Sequence, residues 1–336
     1  MQPEISLQDR FGRRISYLRV SVTEHCNFRC EYCSPASGTP HFDGDEHLTT
    51  GEQQRLLGLF ARMGLQHVRF TGGEPLIHPH ILDLVSHAAH LQVGKISIST
   101  NGYLLEKLAQ PLRKAGLNNL NVSIDTLKSE TFRRITRGGD LARVLRGVEA
   151  ARTAGISRIK INAVLLRDVN GDELPELAAF ALERGLDIRF IETMPLGQSG
   201  KESLNSRFLS AREAREILER HFGPLIPVAS SRDNGPARLY RLPDSDSGRI
   251  GFITPISENF CSACNRVRLT SSGRLVYCLG SEDGMDLRGL LRNGKISDGR
   301  LMETLRQSIW HEKPERHEFL DNPARSSRIF MMRLGG

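Results

Sequence analysis

Three cysteines lie within eight residues near the start of the chain, at Cys26, Cys30 and Cys33. They follow residues 15–22, in which apolar and polar side chains alternate as they do in a β-strand. Thiols at this C-x3-C-x2-C spacing, crowded on one loop, either share a metal centre or enter disulfides. The spacing therefore places thiol chemistry at the carboxyl end of the first predicted strand.

The other cysteines form a second triple, Cys261, Cys264 and Cys278, so that none of the six is left as an apolar filler. A structural zinc site takes four protein ligands, which neither triple supplies by itself. A four-iron–four-sulfur cluster bound by three cysteines keeps one iron open to a substrate or cofactor. This favours a reactive cluster at the first triple. For the second triple, a structural cluster or a zinc site completed by a distant histidine remains a competitor.

The composition narrows the class of protein. The chain has 336 residues, enough for two domains, and 39% of them are hydrophobic. There is no long apolar run to span a membrane, and residues 1–14 lack a signal peptide's apolar segment, so we expect a cytoplasmic protein whose cysteines bind metal. The net charge of +7 favours an anionic partner such as a nucleotide or nucleic acid. No run of like charge is long enough to form a nucleic-acid-binding arm.

The elements that must position these cysteines alternate between strand and helix. The periodicity predicts strands at 15–22, 67–71, 95–100, 119–125, 158–166 and 187–192, and helices at 49–64, 79–91, 104–115, 129–154 and 172–184. Such alternation predicts an α/β fold with a parallel sheet, which we interpret as a partial (βα)6 TIM-like barrel. In barrels of this kind chemistry gathers at the carboxyl ends of the strands. Residues 26–33, 72–75, 99–102, 123–125 and 192–194 all fall there, which predicts a single site.

The pattern changes near residues 195–201, where glycine, serine and glutamine predict a linker. We therefore predict a partial barrel at 1–200, a C-terminal α+β extension at 201–325 that carries the second triple, and a tail at 326–336. The extension is predicted to contain helices at 210–221, 287–292 and 299–310, strands at 238–242 and 249–254, and a hairpin at 267–277. The tail ends in Gly335 and Gly336.

These motifs resemble a known family. The first triple, with the aromatic Tyr32 before its third cysteine, resembles the signature of the radical S-adenosylmethionine (SAM) superfamily, and residues 72–75 resemble its GGE motif. The second triple, the Asn-Arg-Val-Arg run at 265–268 and the diglycine end narrow the resemblance to the GTP 3′,8-cyclase family. The resemblance covers nearly the whole chain.

The resemblance implies a lyase that converts GTP to (8S)-3′,8-cyclo-7,8-dihydroguanosine 5′-triphosphate, the first step of molybdenum cofactor biosynthesis. It implies two 4Fe-4S clusters with three cysteines each, the first binding SAM and the second meeting the guanine of GTP. Reductive cleavage of SAM would give a radical that removes hydrogen from the ribose C3′, which then attacks C8. The cofactors carry this chemistry, and no catalytic side chain is implied beyond them.

The resemblance also implies roles for individual residues. The residues implied to contact SAM are Tyr32, Gly73, Ser123 and Met194. The residues implied to bind GTP are Arg19, Arg69, Lys160, Arg266, Arg268 and either Ser99 or Thr100, of which we place the contact at Ser99. Arginine forks match phosphate oxygens, and Lys160 alternates with apolar neighbours so that it would point into a barrel lumen. Glu74 would accept a hydrogen bond from the ammonium of SAM or simply be exposed, and the tail would reach into the active site.

The partners that the resemblance implies are GTP, SAM, an external electron donor, a second copy of the chain in a homodimer, and a downstream cyclic pyranopterin monophosphate synthase. Neither a membrane nor a nucleic acid is expected as a partner. Two other functions remain open. One is a radical SAM enzyme that modifies a peptide through an auxiliary cluster, and the other is a metal-stabilised nucleic-acid-binding protein.

Overall fold

The computed structural model describes residues 6–34, 47–229, 235–243, 248–281, 283–294, 296–320 and 331–335. Gly336 and the first part of the predicted tail, residues 326–330, lie outside the described residues. Among the described helices, none combines the length and the apolar character needed to cross a membrane.

The described residues form twelve strands and twelve α-helices. The strands are β1 (Tyr17–Thr23), β2 (His67–Gly72), β3 (Lys95–Thr100), β4 (Asn119–Ser123), β5 (Arg158–Val164), β6 (Asp187–Ile191), β7 (Ile226–Val228), β8 (Arg238–Arg241), β9 (Ile250–Ile253), β10 (Arg266–Leu269), β11 (Arg274–Val276) and β12 (Gly284–Asp286). The helices are α1 (Thr50–Arg62), α2 (Ile81–His90), α3 (Leu105–Lys114), α4 (Ser129–Ile135), α5 (Leu141–Thr153), α6 (Arg167–Asn170), α7 (Leu174–Glu183), α8 (Gly197–Arg207), α9 (Ala211–Phe222), α10 (Leu287–Arg292), α11 (Asp298–Glu312) and α12 (Met331–Leu334).

All twelve strands belong to one sheet, in the order β12-β11-β10-β1-β2-β3-β4-β5-β6-β9-β8-β7. The six predicted strands are its parallel centre, so the predicted α/β architecture is confirmed. Two strands of the C-terminal region, β10 and β9, add to its two sides in parallel, beside β1 and β6. The C-terminal region is therefore built into the same sheet as the barrel strands.

The sheet curls, as a partial barrel requires. Arg69 on β2 and Arg189 on β6 are separated by four strand spacings, which would be roughly 19 Å in a flat sheet. Their charges nevertheless act on each other, and Arg69 also acts on Lys160 of β5. The inner faces of β2, β5 and β6 therefore surround a common lumen.

The two faces of the sheet differ in chemistry. On β5, Ile159 and Ile161 belong to the main apolar core, which lies between the sheet and its covering helices. Lys160 alternates with them, so its side chain points to the opposite face and is buried in the lumen. The predicted orientation of Lys160 is thus confirmed, and the lumen is lined by polar rather than apolar side chains.

Helix starts follow local rules. Thr49 accepts a hydrogen bond from the backbone N–H of Glu52, whose carboxylate accepts one from the N–H of Thr49, and Ser210 and Glu213 repeat this capping box at α9. The predicted helix at 129–154 is two helices, α4 and α5, because a turn through Gly138 at φ +119° interrupts it.

The predicted linker at residues 195–201 is wrong, because helix α8 begins at Gly197. Its glycine and serine residues have low helix propensity, but Gly197, Ser199, Gly200 and Ser203 are buried. A Cβ atom on Gly200 would lie 2.6 Å from the carbonyl oxygen of Met194. Close packing that only small residues permit therefore overrides local preference here. The domain boundary at residue 200 stays a prediction.

Two helix glycines provide a matched test of this packing. A Cβ atom on Gly147 of α5 would lie 2.6 Å from the carbonyl oxygen of Gly102, whereas one on Gly58 of α1 would meet nothing within 4 Å. We expect Gly147→Ala to lower the free energy of unfolding by about 1–3 kcal/mol through overpacking. We expect Gly58→Ala to raise it by about 0.4–1 kcal/mol. Urea unfolding followed by circular dichroism measures both, and equal stabilisation by the two alanines would contradict the packing described.

Candidate active site

The loop of the first cysteine triple is fixed to the end of the neighbouring strand. The backbone N–H of Gly73 donates to the carbonyl of Thr23, and that of Glu74 donates to the carbonyl of His25, each at 2.8 Å. A Cβ atom on Gly73 would lie 2.2 Å from the His25 carbonyl oxygen. A glycine is therefore required where the GGE segment approaches the loop that leads into Cys26.

Glu74 has a structural role at the rim of the partial barrel, which is formed by the carboxyl ends of its parallel strands. Its Oε1 accepts hydrogen bonds from the Leu76 N–H at 2.9 Å and the Thr100 hydroxyl at 2.7 Å, and its Oε2 accepts one from the Asn101 N–H at 2.7 Å. The side chain is 1% exposed, and burial raises its pKa to about 7. The alternative of an exposed Glu74 is therefore wrong. Both carboxylate oxygens already hold the end of β3 against the end of β2.

Tyr32 ties the cysteine loop to the far side of the same rim. Its hydroxyl donates to Oδ2 of Asp125 at 2.6 Å, while Oδ1 of Asp125 accepts from the Val164 N–H at 2.8 Å. Burial raises the pKa of Asp125 to about 6, and the two hydrogen bonds oppose that rise. Through Asp125, the loop after β1 is joined to the ends of β4 and β5.

The four residues that the family resemblance assigns to SAM lie at the carboxyl ends of four strands. Tyr32 follows β1 and Gly73 follows β2, while Ser123 ends β4 and Met194 follows β6. The sheet topology brings these ends to one rim, beside the first cysteine triple. Ser123 and Met194 are half-buried, so both side chains are partly accessible. Their contact with SAM stays a prediction.

The first triple has the donor chemistry of an iron–sulfur site. All six cysteines of the chain are free thiols. Burial raises the pKa of Cys26 to about 11, and burial with the neighbouring thiols raises the pKa of Cys30 well above its ordinary value. Such thiols lose their protons when a metal binds them. Among the described residues, no three cysteine, histidine or carboxylate side chains converge on the position of a single ion. A cluster needs no such convergence, because each thiolate binds a different iron.

The lumen holds an unusual density of buried positive charge. Arg19, Arg69, Lys160 and Arg268 are each less than 10% exposed. Burial, followed by the charges of Arg189 and other neighbouring cations, lowers the pKa of Lys160 to about 6, and burial lowers that of Arg19 to about 10. Desolvated cations repel one another, and an anion bound between them would offset that repulsion. The lining is therefore suited to a ligand with several negative charges.

Several buried polar atoms of the lining have no hydrogen-bond partner within the described part of the chain. They include Nε of Arg69, a donor, and Oδ1 of Asn119 and of Asn121, both acceptors. The Nη1 atom of Arg69 donates to the hydroxyl of Ser99 at 3.2 Å. Thr100 instead donates to Glu74 and faces away from Arg69. The lumen-facing residue is thus Ser99, as the sequence analysis placed it, and its contact with GTP stays a prediction.

Arg189, which is 4% exposed in β6, lines the lumen but was not among the predicted site residues. Burial lowers the pKa of Arg189 to about 10, and it is paired in register with Asn162 of β5. Its apolar neighbours Ile188 and Phe190 give the same alternation that identified Lys160. Applying that pattern to every predicted strand would have found it.

The second triple lies at the opposite end of the lumen. Cys261 and Cys264 precede β10, and Cys278 follows β11, which is antiparallel to β10. Because β10 is parallel to β1, all three lie near the amino-terminal end of β1, whereas the first triple follows its carboxyl end. The two triples are separated by β1, seven residues or roughly 20 Å long. Cationic side chains of the lumen lie between them.

The second triple sits in a positive environment. Burial would raise the pKa of Cys264, but Arg266 and Lys313 lower it to about 6. Burial raises the pKa values of Cys261 and Cys278. Three thiols on adjacent segments, none in a disulfide, suit an iron–sulfur cluster here as well.

The described end of the chain enters the lumen between the two triples. The carbonyl of Gly335 accepts hydrogen bonds from Arg268 at 2.6 Å and from Arg19 at 3.1 Å. Gly335 has φ +72°, and a Cβ atom there would lie 2.3 Å from Cγ2 of Thr71. Only glycine fits this position. Its carbonyl is thus hydrogen-bonded to two of the arginines that the resemblance assigns to GTP.

The raised pKa of Asp125 predicts a pH dependence of stability in the iron-free chain. The folded state keeps its proton up to pH about 6, whereas an unfolded aspartate loses it near 3.8. The folded state therefore binds more protons in this window, and the stability that Asp125 confers falls as the pH rises through it. Urea unfolding of the chain and of Asp125→Asn should show a stability difference that declines from pH 4 to pH 6. A difference that grows or stays constant would contradict the assignment.

Comparison with known proteins agrees with this arrangement. The family profile described as the radical SAM superfamily matches residues 20–181, and that described as Molybdenum Cofactor Synthesis C matches residues 186–319. The GTP 3′,8-cyclase of Marinobacter nauticus is 44% identical over 334 residues, covering 99% of this chain and 100% of that protein. GTP 3′,8-cyclase 1 of Pseudomonas aeruginosa is 46% identical over 313 residues, covering 93% of each.

Solved structures of lower identity share the fold. SuiB of Streptococcus suis bound to S-adenosylmethionine is 16% identical with a TM-score of 0.59, covering 89% of this chain and 64% of that one. SuiB bound to its precursor peptide SuiA is 15% identical with a TM-score of 0.61, covering 95% and 70%. Together with the radical SAM family profile, these likenesses confirm the partial-barrel fold. The near-complete matches to the cyclases of Marinobacter nauticus and Pseudomonas aeruginosa place the chain in the GTP 3′,8-cyclase family of radical SAM enzymes.

Proposed function

We propose that this chain uses SAM to cyclise GTP to (8S)-3′,8-cyclo-7,8-dihydroguanosine 5′-triphosphate, the first step of molybdenum cofactor biosynthesis. One observation carries the proposal: a buried, cationic lumen lies between two free cysteine triples. A triphosphate supplies the negative charges that such a lumen needs. Two thiol sites at its two ends would allow one to act on SAM and the other to hold the nucleobase.

Each triple would hold one 4Fe-4S cluster. Cys26, Cys30 and Cys33 would bind the cluster at the rim, and the second triple would bind the cluster at the far end. When bound, the first cluster supplies the electron that cleaves SAM, and the second supplies an open iron for the guanine. Tyr32, Gly73, Ser123 and Met194 would position SAM at the rim.

The chain itself contributes positioning and charge. Arg19, Arg69 and Lys160 would bind the triphosphate, joined by Arg189, Ser99, Arg266 and Arg268. Buried cations interact strongly with phosphate because little water screens them. Holding the ribose at a fixed place between the two ends would supply orientation, and the closed lining would exclude water from a reactive radical.

Several further features of the proposed function come from family resemblance. They are a homodimer, an external electron donor, and transfer of the product to cyclic pyranopterin monophosphate synthase. A cytoplasmic location is proposed from the sequence itself. The division at residues 200 and 325 is likewise retained as a proposal.

Anaerobic reconstitution with iron and sulfide tests the function. We expect about eight iron atoms per chain, because two clusters of four irons are bound. Reduction in the presence of SAM should give cleavage that depends on GTP, together with the cyclised nucleotide detected by mass spectrometry. Replacing Cys26, Cys30 and Cys33 by alanine should remove about half of the iron and all SAM cleavage.

The same experiment distinguishes the alternatives. A peptide-modifying enzyme would load similar iron but cleave SAM without any response to GTP. A nucleic-acid-binding protein would load zinc and leave SAM intact. Either result would reject GTP cyclisation.

The diglycine end is tested separately. We expect deletion of Gly335 and Gly336 to abolish cyclisation while SAM cleavage stays measurable, because the Gly335 carbonyl accepts hydrogen bonds from Arg19 and Arg268. Gly335→Ala should act in the same direction because its Cβ would collide with Thr71. Gly299→Ala, at a position with open space, is the matched control. Unchanged product formation by the deletion variant would reject a role for the tail.

A further inference from the structure

The segment after α11, residues 313–317, packs onto the second cysteine triple. We call it the clamp segment. Its first residue, Lys313, is 1% exposed, although lysine is rarely buried to this extent without a partner. Because a buried charge is costly, the groups that surround its ammonium should indicate the role of Lys313.

The Lys313 ammonium has three N–H donors and three neighbours. Nζ donates to the carbonyl of Arg266 at 2.8 Å and to the carbonyl of Tyr277 at 2.7 Å, and it lies 3.9 Å from Sγ of Cys264. Arg266 comes two residues after Cys264, and Tyr277 comes directly before Cys278. Lys313 therefore joins the two chain segments that carry these thiols.

The ammonium has no carboxylate partner in the described part of the chain. The charges that act on it are the thiols of Cys264 and Cys278 and the guanidinium groups of Arg13 and Arg266. Two of these neighbours are themselves cations, and one of them, Arg13, is paired with the buried carboxylate of Asp9. Lys313 and Arg266 thus leave an excess of positive charge that an anionic group at the thiols would balance.

The rest of the clamp segment reaches the other thiols. The Nδ1 atom of His317 lies 3.1 Å from Sγ of Cys278, and the backbone N–H of His317 donates to the thiol of Cys261. Arg13 donates to the carbonyls of Cys261 at 2.8 Å and of Glu315 at 2.6 Å. One short segment is therefore in contact with all three cysteines of the triple.

We propose that Lys313 is a positioning and charge-compensating residue of the C-terminal cluster. It would hold the Cys264 and Cys278 segments at the separation that the cluster needs, and its charge would favour the reduced, more negative state. Net charge and hydrogen bonds to the sulfurs are the means by which a protein sets a cluster's reduction potential. This inference rests on the proposed binding of a cluster at the second triple.

The test isolates that cluster in the full-length chain. Replacing Cys26, Cys30 and Cys33 by alanine leaves the second triple as the binding site for about four irons. In this parent, Lys313→Gln, Lys313→Arg and the exposed Lys107→Gln on α3 are reconstituted and titrated by electron paramagnetic resonance. We expect Lys313→Gln to shift the midpoint to more negative potential, Lys313→Arg to stay nearer the parent, and Lys107→Gln to match it.

The possible outcomes separate the two proposals. A parent that binds no iron would overturn the cluster assignment itself. A parent that binds iron, with equal midpoints for Lys313→Gln and Lys313→Arg, would overturn the role of the Lys313 charge. If Lys313→Gln loses iron while Lys313→Arg retains it, and circular dichroism shows both to be folded, the positioning role is supported. Loss of iron from Lys107→Gln to the same extent would overturn it.

Discussion

The gathering of buried positive charge in one lumen is the constraint on which this structure depends. Arg19, Arg69, Lys160, Arg189 and Arg268 project from five strands into one desolvated lumen. A fold that merely needed stability would fill this space with apolar side chains, because burying charged groups is costly. The curled sheet keeps them together because its covering helices pack on an apolar core at its outer face. Binding of a polyanion is the property for which this arrangement is suited.

The second constraint is that chemistry is needed at both ends of the lumen. A partial barrel ordinarily presents its site at the carboxyl ends of its strands. Here β10 pairs in parallel with β1 and carries Cys264 at its beginning, so the second triple comes to the amino-terminal end. The C-terminal region is thus an extension of the sheet, and the pairing of β10 with β1 sets the position of its cysteines.

Both thiol sites are supported by groups that do not themselves bind metal. At the rim, Glu74 and Asp125 use their carboxylates to hold loop backbone and the Tyr32 hydroxyl. At the far end, Lys313 and Arg13 donate to carbonyls of the cysteine-bearing segments. Backbone hydrogen bonds and buried charges therefore hold these loops, which are otherwise the most adaptable parts of a fold.

The sequence by itself determined the two cysteine triples, the alternation of strands and helices, and the inward direction of Lys160. These are local properties, because spacing and side-chain alternation depend on near neighbours along the chain. Only the tertiary structure decided that the second triple lies opposite the first, that residues 197–207 form a helix, and that Lys313 joins two cysteine segments. Each of these depends on contacts between residues far apart in sequence, such as the pairing of β10 with β1, and no local pattern encodes them.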